Sequence, residues 1–336
     1  MARAAQAYRP HARLLHGRPG NQATADPMPS LPVEPVRPVA RVCCLHRLTH
    51  DRDQLTHLRD QDLLPRDMED EPERYQALID GLSEEERTAI TFPLDGRRYL
   101  TIARSWNRYV HLEQTGWTLE RPALNPDLDW PGLEAAFLDG DPRCLAIDRL
   151  VTPAALDALQ RICRNSTFWH QIKGAGYLGA YLREGFSDPL ILAIAHQLRD
   201  RLPRVLGDQP VRMIWAYSYD QGMVGINPHA DFAGVNMNFW ITPDAANLDP
   251  ETGGLVVYRK AAPEAWDFRT YNTASTAFIY DFLGDDREDF IRIPHRSNRA
   301  ALFDSRLIHE TDRARFAPGF LNRRINITML FGDGGS

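Results

Sequence analysis

From Val211 to its end the chain is a succession of short apolar segments separated by turn residues, and this constrains the fold more than any other feature. The segments are Val211–Tyr219, Gly225–Asp231, Val235–Thr242, Gly254–Tyr258, Ile291–Pro294, Arg299–Asp304, Leu307–His309 and Arg324–Phe331. Short strands of this kind bury their apolar faces only by closing into a barrel or packing as two sheets. Their number suits a jelly-roll, cupin-like double-stranded β-helix. Two capped helices come first. Thr152-Pro153 opens one with an apolar stripe of Leu156, Leu159, Ile162 and Cys163, and Asp188-Pro189 opens the other with Leu190, Ile191, Ile194, Leu198 and Leu202. The expected class is α+β: a double-stranded β-helix core buttressed by helices, with a small N-terminal α+β region.

Within the β-rich run, Ile226-Asn-Pro-His-Ala-Asp-Phe-Ala-Gly234 sets a His and an Asp two residues apart. On an extended strand such residues share a face, so the His229 imidazole and the Asp231 carboxylate converge. A third ligand from elsewhere would complete a 2-His-1-carboxylate set, which holds non-haem Fe(II) and leaves coordination positions open. The motif says little alone, since a chain with 11 His contains about one His-x-Asp by chance. Its weight comes from His309, which ends one apolar segment, and Arg324, which opens another 15 residues later. Alternation puts Arg324, Asn326 and Thr328 on one face and Ile325, Ile327 and Met329 on the other. A guanidinium beside a metal can grip a carboxylate through two bonds, which an ammonium cannot. Arg323 is the rival, but adjacent strand residues cannot both point inward, and Arg324 is the one that shares a face with Asn326. On the strand Val235–Thr242, Asn236, Asn238 and Trp240 share a face and need polar partners, either a bound cofactor or substrate or else solvent.

Together these residues resemble the Fe(II)/2-oxoglutarate dioxygenases, in particular their prolyl-hydroxylase-like branch, which places a Tyr where Tyr219 stands, ten residues before His229. Closer still is the resemblance to bacterial oxygenase domains found behind tetratricopeptide repeats. It is carried by Asn238-Phe-Trp-Ile-Thr-Pro-Asp, Asp249-Pro-Glu-Thr-Gly-Gly-Leu, His309-Glu-Thr-Asp and Asn322-Arg-Arg-Ile-Asn, and covers residues 140–333. The resemblance implies Fe(II) held by His229, Asp231 and His309, with 2-oxoglutarate and O2 as cosubstrates. It implies that Arg324, Tyr219, Asn326 and Asn238 surround the 2-oxoglutarate. Relatives that halogenate lack the carboxylate, so Asp231 favours hydroxylation of a peptidyl, carrier-tethered or small-molecule substrate. Two other classes stand beside this one: a cupin-like metalloenzyme that does not use 2-oxoglutarate, and a non-catalytic metal-binding interaction module.

A net charge of -6 and a pI near 6.0 argue against a partner bound through nucleic-acid phosphates. No apolar run is long enough to span a membrane, and the N-terminus lacks the apolar core of a secretory signal. Cys43, Cys44, Cys144 and Cys163 form no CxxC motif, which points to a reducing cytoplasm that also suits ferrous iron. Residues 1–41 carry six Arg against Asp26 and Glu34 and read as disordered; Met28 is a second candidate start. Residues 42–128 read as a small α+β unit of unknown role, with helices at Arg52–Leu64 and Pro72–Leu82 and a strand pair at 97–103 and 108–113. Cys44, His46, His50 and His57 have no standard zinc spacing and are assigned to a solvated helix. His111-Leu-Glu113, another His-x-acid pair, is assigned to the surface. Residues 259–290, with Trp266, Phe268, Tyr271, Phe278, Tyr280 and Phe282, form a long aromatic insertion of the kind that often acts as a lid.

Overall fold

Alternating apolar segments with turns between them do become strands in the last third of the chain. A computed structural model describes residues 41–174, 176–221, 225–266 and 275–333. Among these the strands are β1 (Val42–Cys43), β2 (Phe92–Pro93), β3 (Cys144–Ile147), β4 (Gln171–Lys173), β5 (Tyr177–Tyr181) and β6 (Val211–Tyr219), followed by β7 (Val235–Trp240), β8 (Leu255–Ala261), β9 (Phe290–Ile293), β10 (Ala300–Asp304), β11 (Leu307–Thr311) and β12 (Ile325–Phe331). The basic segment before Arg41 lies outside the described residues, as do Phe268 and Tyr271 of the insertion.

The chain divides into two units, each discontinuous in sequence. One takes 41–117, Asp157–Leu192 and Tyr217–Asp220; the other takes Thr118–Leu156, Ala193–Ala216 and the chain from Gln221 onward. Asp157–Leu192 therefore clusters with the N-terminal region, although in sequence it belongs to the stretch 140–333.

In the first unit the helix Leu45–Asp60 is central. Cys44 caps it by accepting from the Arg47 N–H, and Leu48, Leu55 and Leu58 enter a core with Tyr75, Ile79, Ile102, Trp106 and Val110. This helix is not the solvated one expected. Arg47, His50, Asp51 and Gln54 are buried too, and the Arg47 guanidinium meets Asp51 at 2.7 Å while lying over the Trp106 ring. The expected strand at 97–103 is instead the helix Gly96–Ile102, because the Asp95 carboxylate accepts from the Arg98 N–H at 2.8 Å and caps a helical turn. Residues 108–113 form no strand; the N–H groups of Val110 and His111 donate to the Thr167 hydroxyl. His111, expected at the surface, is 5% exposed.

The second unit is built on antiparallel sheets. β3, β10, β7, β12 and β6 are neighbours in that order in the larger sheet, and β11, β8 and β9 form a three-stranded one. Trp240, Ala301 and Phe303 from the larger sheet pack with Leu255, Val257, Ile293 and Leu307 from the smaller, so the core lies between the two. Register fixes what faces that core. Asn236 opposes Phe303 and Leu330, Asn238 opposes Ala301 and Thr328, and Trp240 opposes Asn326. Directly paired residues share a face, so the Asn side chains of β7 look inward with Phe303 and Asn326. The helix caps form as the sequence indicates: the Ala155 N–H donates to the Thr152 hydroxyl, and the Leu190 N–H to the Asp188 carboxylate.

Candidate metal centre

His229 and His309 oppose each other across two antiparallel segments. Each backbone N–H donates to the carbonyl of the other, at 2.9 and 2.8 Å, so both rings project to one side with centroids 4.3 Å apart. The segment Gly225–Asp231 is otherwise not a regular strand; this bridge is its one ladder position. Pro228 has no N–H to donate, which accounts for the short pairing. Asp231 follows on the same side, held by its N–H bond to the Ser305 carbonyl at 2.9 Å. Its Oδ1 lies 4.0 Å from His229 Nε2 and its Oδ2 lies 3.5 Å from His309 Nε2. One donor atom from each of the three residues falls within 4.8 Å of the others, and among the described residues no other such group of His, Cys, Asp or Glu exists.

The hydrogen bonds around the triad suit a cation. His229 Nδ1 lies 2.8 Å from the Asn227 carbonyl and His309 Nδ1 lies 2.9 Å from the Leu307 carbonyl. A carbonyl only accepts, so each Nδ1 carries the proton and each Nε2 presents its lone pair to the common point. Burial, reinforced by His309 and opposed by Asp231, pushes the His229 pKa down to about 4, which keeps this ring neutral and able to ligate. Asp231 is held below its usual range: burial works against ionisation, but the neighbouring His309 and His229 rings and the Asn236 amide outweigh it. Asn236 donates from Nδ2 to Asp231 Oδ2 at 2.5 Å. Phe303 packs edge-on against His309.

Behind the ligands lies the insertion. Ala230, between the two ligands of its segment, and Ile308, beside His309, join Val256, Tyr258, Ile279 and Leu283 in one cluster. Ile279 and Leu283 come from the helix Thr276–Leu283, capped by Ser275. Tyr258 and Tyr280 donate to the two Glu310 oxygens at 2.5 and 2.9 Å. The described part of the insertion therefore backs the ligand strands instead of covering their metal-facing side as a lid.

Arg324, just before β12, is 3% exposed. Its Nε donates to the Gly253 carbonyl at 2.7 Å, Nη2 to the Gly254 carbonyl at 3.0 Å and Nη1 to Asn326 Oδ1 at 3.4 Å. Asn326 donates to Asn238 Oδ1 and to the Thr328 hydroxyl, to which Asn238 also donates. Arg324, Asn326, Thr328 and Asn238 thus make a continuous polar strip on the inner face. Arg323 is also buried, and its carbonyl accepts from the Thr242 hydroxyl. Tyr219 ends β6 in the other unit, 3% exposed and stacked on Tyr177 at 5.2 Å. His46 and His50 pair with Asp220 and Asp51, and His57 with Asn165, so the N-terminal Cys and His residues form no metal cluster among the described residues.

Sequence reasoning missed two things. Asn236 could be placed on the inner face, but not against Asp231. Nothing marked His295, which is 2% exposed against Trp240 and Phe316.

No family model and no curated protein matches the chain. Solved structures do. The α-ketoglutarate-dependent epimerase SnoN from nogalamycin biosynthesis matches with a TM-score of 0.44 at 11% identity, over 61% of this chain and 83% of that one. HygX from Streptomyces hygroscopicus, solved with nickel, 2-oxoglutarate and hygromycin B, matches with a TM-score of 0.39 at 14% identity, over 57% and 84%. A Pseudomonas putida prolyl-4-hydroxylase matches with a TM-score of 0.39 at 14% identity, over 64% and 100%. Scores this low mark a loose likeness of architecture, and the chemistry of the site rests on its own residues.

Proposed function

We propose that the chain is an Fe(II)- and 2-oxoglutarate-dependent oxygenase on a double-stranded β-helix, of the prolyl-hydroxylase-like branch, and that it hydroxylates a peptidyl, carrier-tethered or small-molecule substrate. The observation that carries this is the opposed His229–His309 pair with Asp231, whose two Nδ1 atoms are tied to backbone carbonyls so that both Nε2 atoms converge with the carboxylate. Such a set would hold a ferrous ion and leave coordination positions free for cosubstrate and O2. Bound iron supplies O2 activation, and 2-oxoglutarate leaves as succinate and CO2, taking one oxygen atom while the substrate C–H becomes C–OH.

The chain's own residues do the rest. His229, Asp231 and His309 hold the metal. Asn238 and Asn326 would offer amide groups to the cosubstrate along the inner strip, and Arg324 would face its far carboxylate. Packing of Phe303 on one side and the insertion helix behind fixes His309. With iron bound, the Asp231 carboxylate would take the position a halide would need, which favours oxygen over chlorine transfer. The four cysteines are free, and no described helix is long and apolar enough to cross a membrane; we place the protein in the reducing cytoplasm.

The test is an anaerobic titration with Fe(II) and 2-oxoglutarate. A weak visible charge-transfer band should form, and oxygen should bleach it with release of succinate. His229→Ala and His309→Ala should each lose stoichiometric iron while staying folded. Full iron retention in both would remove the metal assignment; iron binding without band or succinate would leave a cupin-like metalloenzyme or a binding module.

A further inference from the structure

The turn Thr252-Gly253-Gly254 is bonded by two buried residues, Arg324 and His295. Its Gly253 and Gly254 carbonyls receive the Arg324 guanidinium, and its Thr252 carbonyl receives the backbone N–H of His295. Gly254 is required there: a Cβ would stand 1.9 Å from the Ile293 carbonyl oxygen and 2.8 Å from the His295 nitrogen. Trp240 completes the group. Its ring lies 6.0 Å from the Arg324 guanidinium carbon and 6.2 Å from the His295 ring. Trp240 is fully buried and His295 is 2% exposed, yet the indole N–H and both imidazole nitrogens have no hydrogen-bond partner among the described residues.

A buried N–H without an acceptor costs on the order of 1–3 kcal/mol, and native cores seldom carry several together. Here they lie near a buried guanidinium. Burial and the nearby Arg324 push the His295 pKa down to about 3, so the ring is neutral at physiological pH and donates one N–H. A cation and two neutral N–H donors enclosed in one place are complementary to a carboxylate.

Resting on the 2-oxoglutarate reading above, we propose that His295 and Trp240 are binding residues for the far carboxylate of the cosubstrate, supplying N–H donors beside Arg324. They select a five-carbon 2-oxo dicarboxylate over a shorter 2-oxo monocarboxylate. On this assignment their contribution would belong to the far carboxylate and not to the end held at the triad.

The experiment compares 2-oxoglutarate with pyruvate, which has the chelating end and lacks the far carboxylate, on the Ni(II)-loaded full chain by calorimetry. Wild type should prefer 2-oxoglutarate. His295→Phe and Trp240→Phe keep the ring volume and remove the N–H; each should weaken 2-oxoglutarate about tenfold, the equivalent of about 1.4 kcal/mol, and leave pyruvate unchanged. His295→Gln, which restores a donor, should recover part of the loss. Without ligand, His295→Phe should melt no lower than wild type, since it deletes an unpartnered polar group, and 2-oxoglutarate should raise its Tm by less. Unchanged 2-oxoglutarate affinity in both Phe variants, or equal losses for both ligands, would overturn the assignment. Wild-type protein that binds Ni(II) but not 2-oxoglutarate would overturn the cosubstrate reading itself, and this inference with it.

Discussion

Asn236→Leu is the most informative single change, because it leaves all three candidate metal ligands in place. Asn236 is 1% exposed, and its Nδ2 donates to Asp231 Oδ2 at 2.5 Å. An acceptor-only carboxylate fixes which end of the amide faces it. That bond pins one Asp231 oxygen and sets the direction of the other. Hydrogen bonds to an ionised group are worth about 1.5–3 kcal/mol, which at 1.4 kcal/mol per tenfold is about 10- to 100-fold in affinity. Partners of metal ligands elsewhere contribute in the same range. Leu keeps the volume, so the fold should survive and the loss should appear in metal binding. Calorimetric titration of metal-free protein with Co(II) or Ni(II) should show Kd rising about 10- to 100-fold, with the visible Co(II) spectrum altered as the carboxylate turns. Asn236→Asp should do worse, since a second carboxylate then crowds Asp231. A Leu variant that binds metal within twofold of wild type, with an unchanged Co(II) spectrum, would refute the positioning role.

Arg324→Ala should weaken 2-oxoglutarate binding at least tenfold, whereas Arg323→Ala should leave it within about twofold; calorimetry on the Ni(II) form reads both, and the reverse ranking would mean that Arg323 meets the cosubstrate. Gly254→Ala forces a Cβ to within 1.9 Å of the Ile293 carbonyl oxygen, so the β8–β9 pairing should loosen, Tm should fall by several degrees, and 2-oxoglutarate affinity should fall with it. In the first unit, the His111 imidazole 3.8 Å away, with hydrogen bonds from Asn165 and Arg161, outweighs burial and holds the Glu113 pKa down at about 2 from an ordinary 4.5. Its folded-state value is the lower one, so its stabilisation is complete above pH 4.5 and is lost as pH falls toward 2. Wild type should therefore lose more stability than Glu113→Gln between those pH values in denaturant titrations; parallel curves would show that the pair contributes nothing.

Much of the site was legible because strand alternation is a local rule. The inner face of β12, with Arg324, Asn326 and Thr328 together, follows from a period of two, and so does the face of β7 that carries Asn236, Asn238 and Trp240. Expectations failed where a local pattern had more than one solution. The segment 97–103 alternates well enough for a strand, but Asp95 before Gly96 offers a cap, and the helix forms. The helix Leu45–Asp60 is so polar that it reads as solvated, yet its Arg47–Asp51 pair is buried because the two charges neutralise each other beside Trp106. Length and aromatic content suggested that 259–290 covers the site, and those properties do not say which side of a sheet a helix packs against.

What the sequence determined by itself was the inventory and its local faces: His229 with Asp231, His309 after an apolar run, Arg324 in phase with Asn326. Each depends only on neighbours along the chain and on the two-residue repeat of a strand. Tertiary structure alone decided which residues meet. The pairing of His229 with His309, the turn that gathers Arg324 with His295, and the Tyr258–Glu310–Tyr280 anchor of the insertion all join segments distant in sequence, and the Asn236–Asp231 bond, only five residues apart, forms across the turn that the Ser305 carbonyl holds. Such contacts are set by strand order and register, and these follow from burying both sheets' inner faces at once, a condition no single segment carries.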